Sequence, residues 1–263
     1  MNGMKRNSWL TLLALVVVLG GLMWYVSGAS GGGASGSVST TTVSSIPVTG
    51  PYVEHGQYYD IAANYPTTTP MRGNAGQAAL ERIRSFIQNQ IAQFKAQGNF
   101  ANLTPQDIKM MGYASGKKES LDIAYLISTS PAGTPRTVSY IFTIYEDTLG
   151  AHGNTFFRTF TFDLKTGQEL SIGDLFAPGQ PYLATLSSLT RTNLTQNLGP
   201  NTNPQMLDSG TAPDEKNFQN FFLDNGTLAI LFAPYDVAPY AAGPQTVRIP
   251  FSDLAGLLQP QYR

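Results

Sequence analysis

Apolar side chains recur at three- and four-residue spacing across residues 74–97. Ala79, Ile83, Phe86, Ile87, Ile91 and Phe94 fall on one face, so the segment is predicted to be an amphipathic helix with that face in the core. Asn74 is expected to cap its start and Gly98 its end. Before it, residues 58–65 alternate and stop at Pro66, which predicts a strand. After it, residues 108–113, 120–128, 137–146 and 155–164 are dominated by β-branched and aromatic residues, and each is predicted to be a strand. Tyr140, Phe142 and Ile144 share one face of theirs, as do Phe156, Phe160 and Phe162 with Arg158 among them. Short connections between successive strands predict an antiparallel sheet.

The second half repeats the mixture. Residues 181–198 read as a helix through Leu183, Leu186, Leu189 and Leu194, with Arg191 interrupting the face. Residues 200–214 are rich in Asn, Pro and Gly and are expected to form an exposed loop. Residues 218–224 and 227–232 flank Asn225-Gly226, a strong two-residue hairpin signal. A buried strand at 228–232 then breaks into a loop set by Pro234, Pro239, Gly243 and Pro244. A strand at 246–249 and a short helix at 251–258 close the pattern. The fold class is therefore α+β.

The first 50 residues do not share this pattern. Residues 9–26 carry no charge over 18 positions, the lower limit for a spanning helix. Lys5 and Arg6 precede them, and Trp9 and Trp24-Tyr25 stand at the two ends. That order predicts a cytoplasmic N-terminus and an extracytoplasmic remainder. The small residues Ser27-Gly28-Ala29 keep a cleaved signal peptide open as the alternative. Residues 27–50, rich in Gly, Ser and Thr, are expected to be a flexible tether. The organisation expected is a cytoplasmic tail (1–8), an anchor (9–26), a linker (27–50), a first α+β subdomain (51–168) and a second (169–263).

Composition removes several classes of function. With 16 basic and 17 acidic residues the chain has no electrostatic footprint for nucleic acid. It has no cysteine, which excludes disulfides, thiol catalysis and a lipoprotein anchor. His55 and His152 are its two histidines, a poor basis for a catalytic zinc. No nucleophile elbow, phosphate loop, dinucleotide fingerprint or His-Glu-x-x-His is present. No catalytic residue, metal ligand or cofactor is therefore assigned.

Two loops hold the candidate binding residues. Tyr235, Asp236 and Tyr240 lie among the prolines of residues 233–243, where aromatic faces and hydroxyls suit a sugar or a peptide. The same three serve equally to build a rigid corner, with Asp236 capping a turn. His152, between Gly150 and Gly153, reads either as a ligand contact or as a histidine bonded to backbone in a tight connection.

Gly150-Ala151-His152, the run from Phe162 through Asp163-Leu164-Lys165-Thr166-Gly167-Gln168 to Leu170, then Asp174-Leu175-Phe176, and finally Phe232-Ala233-Pro234-Tyr235-Asp236 through Tyr240 to Gly243 follow in one order. In that order and spacing the chain resembles RsiV-like extracytoplasmic domains. These occur in a lysozyme-binding anti-sigma factor and ahead of the catalytic domain of PdaC-like peptidoglycan deacetylases. The resemblance implies two linked subdomains, each a helix on an antiparallel sheet. It also implies an envelope ligand, either a lysozyme-like protein or a peptidoglycan fragment. The eight residues before the span are too few for a folded sigma-binding unit, and the chain ends at Arg263, so neither the sigma-binding nor the deacetylase activity is expected to transfer. Leu149-Gly150 stands where the family usually has Gly-Gly, and Asp236 where it often has Glu. The expected function is a non-catalytic, membrane-anchored binding domain. A cell-wall glycan-modifying enzyme or its accessory module is the alternative.

Overall fold

Burial of the apolar faces organises residues 51–263, the residues described by the computed structural model. The segments read as tail, anchor and linker lie outside the described residues. Among the described residues no helix is long and apolar enough to cross a membrane. The fold is α+β, with a six-stranded mixed sheet, a three-stranded antiparallel sheet and helices.

The larger sheet runs in the order β1 (Tyr52–His55), β2 (Tyr59–Ala63), β3 (Glu119–Ser130), β4 (Thr137–Asp147), β5 (Asn154–Asp163), β6 (Glu169–Leu170). It is not wholly antiparallel as expected. β2 and β3 pair in parallel, Tyr59 opposite Glu119 and Ala63 opposite Ile123. A parallel pair needs a long crossover, and helix α1 (Gly73–Gly98) lies within the connection. The sequence showed strand, helix, strand in that order, the arrangement that brings two strands side by side in one direction.

α1 turns the expected face inward. Ile83, Ile87 and Ile91 are fully buried, and Ala79 and Phe94 nearly so. They pack with Ile61, Leu121, Ile123, Tyr140, Phe142 and Ile144. Phe86 is partly buried and reaches the rings of Phe142 and Phe160 at 5.8 and 5.5 Å. The caps differ from expectation. Arg72 holds the N-cap position without a side-chain hydrogen bond, and Asn99, at φ 45°, takes the left-handed position at the C-terminus. Asn tolerates that conformation because its short polar side chain can bond locally.

Residues 108–113 are not a strand. α2 (Pro105–Met110) and a 3-10 turn (Tyr113–Ser115) replace it. The capping box decides this: Thr104 Oγ1 accepts the Asp107 N–H, and Asp107 Oδ2 accepts the Thr104 N–H, with Pro105 in the first turn. The loop expected at 200–214 likewise contains α4 (Pro204–Gly210), where Asn203 accepts the Met206 N–H at 3.1 Å.

α3 (Tyr182–Leu198) precedes α4 and buries Leu186, Thr190, Leu194 and Leu198. Its leucines pack with the smaller sheet, β7 (Phe221–Asp224), β8 (Thr227–Phe232) and β9 (Gln245–Pro250), and with Val237 and Ala238 of the loop between β8 and β9. Asn225 and Gly226 join β7 to β8 at φ 42° and 85°, the paired positive angles of the tight hairpin turn expected there. The helix expected at 251–258 is shorter: a 3-10 turn covers Phe251–Leu254, and Leu258 bridges to Phe176.

β7 also lies against the face of the larger sheet opposite α1. Ser128 Oγ donates to the Leu223 carbonyl at 2.9 Å, and Thr161 Oγ1 to that of Phe221 at 3.2 Å. The Phe221 N–H donates to Thr159 Oγ1 at 3.0 Å. Hydroxyl side chains on β3 and β5 thus bond the backbone of the smaller sheet. This is why these strands carry Ser and Thr where a purely apolar core would carry Val.

Candidate functional site

The connection between β4 and β5 is built by a left-handed residue followed by two glycines. Leu149 has φ 59°, and its N–H is held by Asp147 Oδ1 at 2.8 Å. His152 follows. Its Nδ1 stands 3.1 Å from the Gly153 carbonyl and donates to it. Gly153 lets the Tyr145 side chain approach closely, because a Cβ there would displace its ring and hydroxyl.

The loop after β8 is the second support. Asp236 Oδ2 accepts the Ala233 N–H at 2.6 Å, and the Asp236 N–H returns to the Ala233 carbonyl at 3.1 Å. Tyr235 lies between them at φ 74°, with its N–H on the Ala238 carbonyl at 3.1 Å. A positive φ is costly for an aromatic residue, and the Asp236 turn together with buried Val237 and Ala238 holds it. Gly210, at the end of α4, packs so close to the Asp236 carbonyl that a Cβ would collide with it.

The two loops meet. The rings of His152 and Tyr240 stack at 3.7 Å with 18° between planes. Tyr240 donates its hydroxyl to the Gly153 carbonyl at 2.8 Å, and the Tyr235 hydroxyl stands 3.4 Å from His152 Nε2. The Tyr235 and Tyr240 rings are 5.7 Å apart. Tyr235 is 54% exposed. Three of the residues singled out in the sequence, His152, Tyr235 and Tyr240, therefore form one surface cluster. Asp236 shapes the loop that carries the two tyrosines, through its bond to Ala233.

Tyr145 and Asp122 are neighbours that the sequence did not single out. They sit opposite one another in the β3–β4 register. Burial pushes the Tyr145 hydroxyl above its ordinary pKa, and Asp147, Tyr240 and Asp122 add to the shift. Burial also raises the Asp122 carboxyl; a Ser120 hydrogen bond opposes this and Asp60 reinforces it. Only the strand register places this pair beside the cluster, and no local motif marks it. Among the described residues no group of three or more His, Cys, Asp or Glu side chains is placed to hold a metal ion.

Residues 173–252, which contain the Tyr235 loop, match the family described as "Protein of unknown function (DUF3298)". This region belongs to the DUF3298 family. It is the RsiV-like family that the motifs resemble. The chain is 27% identical over 266 residues to the peptidoglycan-N-acetylmuramic acid deacetylase PdaC of Bacillus subtilis, covering 98% of this chain and 52% of that protein. It is 27% identical over 121 residues to an esterase of Mycobacterium tuberculosis, covering 46% of this chain and 52% of that protein. The chain thus spans about half the length of these relatives. A crystal structure of a DUF3298 protein from Bacteroides fragilis aligns with a TM-score of 0.49 at 20% identity, covering 77% of this chain and 85% of that one. The DUF3298 match takes in Tyr235, Asp236 and Tyr240, whereas His152 comes from the strand connection before it.

Proposed function

We propose that the chain is a non-catalytic, membrane-anchored extracytoplasmic domain, and that the His152–Tyr235–Tyr240 cluster binds an envelope ligand. In this reading residues 9–26 are the anchor, and residues 51–168 and 169–263 are linked subdomains. The observation that carries it is the surface cluster itself: two tyrosines and a histidine from separate loops, locked by backbone hydrogen bonds, with Tyr235 open to solvent. Rigid aromatic groups lose little entropy on association and are common interface anchors. The kinship with a peptidoglycan deacetylase supports an envelope setting. The ligand is proposed to be of the class that the RsiV-like resemblance implies, a peptidoglycan fragment or a lysozyme-like protein.

The test is binding of the full chain to lysozyme and to muropeptides, with Tyr235→Ala as the probe. Tyr235 is exposed, so its truncation is expected to leave melting unchanged. Binding to one of the two ligands is expected to weaken by about 2 kcal/mol, roughly thirtyfold. Native-like binding by the variant, or no binding of either ligand by the unaltered chain, would reject the site. Acetate or reducing sugar released from peptidoglycan by the pure chain would favour the enzymatic alternative instead.

The anchor is tested separately. Cell fractionation is expected to leave the chain in the membrane pellet with its original N-terminus. A soluble product beginning near residue 30 would make residues 9–26 a signal peptide.

A further inference from the structure

A cleft of about 480 Å³ lies on another part of the molecule, bordered by α1, β5, β6 and the segment leading into β7. Arg82 of α1 and Arg158 of β5 line it, and both reach Glu169. Arg82 Nε stands 3.2 Å from Glu169 Oε2, and Arg158 Nη2 stands 3.3 Å from Oε1. One carboxylate is thus shared by two guanidiniums. Each guanidinium has five N–H groups and gives one hydrogen bond to Glu169. Arg158 is 30% exposed and rests on the Phe160 ring, with its guanidinium carbon 4.6 Å from the centroid. Its flat face is therefore occupied and its N–H edges remain. Burial lowers its proton affinity; Glu169 opposes the shift and Arg82 adds to it.

Carboxylates from the C-terminal half line the same cleft. Asp174 accepts the Ser171 N–H and hydroxyl, both at 2.7 Å. Glu215 accepts the Tyr182 hydroxyl. A Cβ on Gly173 would stand 3.0 Å from Glu215 Oε1, so Glu215 lies over the backbone next to Asp174. Cations and anions lining the cleft balance, with Lys216 as the third cation. A polyanion would meet these carboxylates and be repelled. A zwitterion has the matching pattern.

We propose that this cleft is a second ligand site, distinct from the aromatic cluster, for an amino-acid or peptide ligand with a free carboxylate. The carboxylate binds the Arg82–Arg158 pair beside Glu169, and the ammonium group binds at Asp174 and Glu215. Planar guanidiniums pair with carboxylates through parallel N–H bonds, which gives both energy and direction. The assignment does not rest on the envelope reading of the Tyr235 loop.

The experiment is calorimetry on the full chain with trialanine, its C-terminal amide and its N-acetylated form. Trialanine is expected to bind, the amide roughly tenfold more weakly, and the N-acetyl form also more weakly. Arg82 is 61% exposed on its side chain, so Arg82→Gln is expected to keep the native melting temperature while weakening trialanine roughly fivefold or more. Arg158→Lys keeps the charge and removes the fork, and is expected to weaken trialanine as well. Tyr235→Ala is expected to bind trialanine as the native chain does, which separates this site from the other. The proposal is overturned by any of three results: no trialanine binding up to about 10 mM, equal binding of the amide, or native affinity in both arginine variants.

Discussion

Replacing Ile87 with alanine is expected to lower the unfolding free energy by about 2–5 kcal/mol. Ile87 is at the middle of α1 and is 0% exposed, as are Ile83 and Ile91 one turn away on either side. It belongs to the buried group that joins the helix to β2, β3 and β4 through Ile61, Leu121, Ile123 and Phe142. Removing three carbons there costs their transfer free energy and leaves a cavity that rigid strands on one side and a long helix on the other cannot close. Alanine is a better helix former than isoleucine, so a loss cannot be ascribed to helix propensity. Ile87→Val, which removes one carbon, is expected to cost about 0.5–1.5 kcal/mol. Denaturant unfolding measures both. The midpoint should fall while the slope stays constant, and an unmoved midpoint for Ile87→Ala would show that this face is not core.

Asp163 is expected to be the next most costly side chain to remove, at about 3 kcal/mol. It ends β5 with its side chain 2% exposed. Oδ1 accepts the N–H groups of Lys165 and Thr166 at 2.8 and 2.9 Å, which fixes the turn into β6. Oδ2 accepts Arg136 Nε at 2.7 Å and the Tyr262 hydroxyl at 3.0 Å. One carboxylate therefore ties the β5–β6 turn, the start of β4 and the last turn of the chain. Burial alone would raise its pKa. The hydrogen bonds from Thr166, Arg136, Lys165 and Tyr262 outweigh burial and leave it below the ordinary carboxylate value. A depressed folded pKa contributes stability that is fully present above the unfolded pKa and is lost as pH falls through the folded one. The native chain should accordingly lose stability below about pH 4. Asp163→Asn, which keeps the shape and removes the charge, should flatten that acid limb. Unfolding curves from about pH 3 to pH 7 decide it. An acid limb in Asp163→Asn as steep as the native one would assign the loss to other carboxylates.

What the sequence determined by itself was local. The spacing of Ala79, Ile83, Ile87, Ile91 and Phe94 permits one inward face of one helix, and α1 matches the expected span to within a residue at each end. β3, β4 and β5 and the Asn225-Gly226 hairpin followed from side-chain type and turn chemistry in the same way. The errors arose where a local signal was short or could be read two ways. Residues 108–113 look β-prone, but the Thr104–Asp107 capping box four residues earlier commits the chain to a helical turn. Met110, 70% exposed, shows that no sheet face was waiting to bury it. α4 was hidden because Asn and Pro mark a helix start as readily as a loop. Only the tertiary structure decided pairing. β1 is four residues, Tyr-Val-Glu-His, with no apolar alternation in its sequence; its burial alternates only because it pairs along the edge of β2. The parallel β2–β3 pair depends on where α1 packs. The candidate site divides the same way. His152, Tyr235 and Tyr240 stood out as large polar-tipped groups among glycine and proline, yet more than 80 residues separate the two loops. Their stacking, the nearby Tyr145–Asp122 pair and the Arg82–Glu169–Arg158 cleft come from strand register and from the docking of β7 across the larger sheet. Those contacts are between residues distant in the chain, and no property of either partner's neighbours in sequence encodes them.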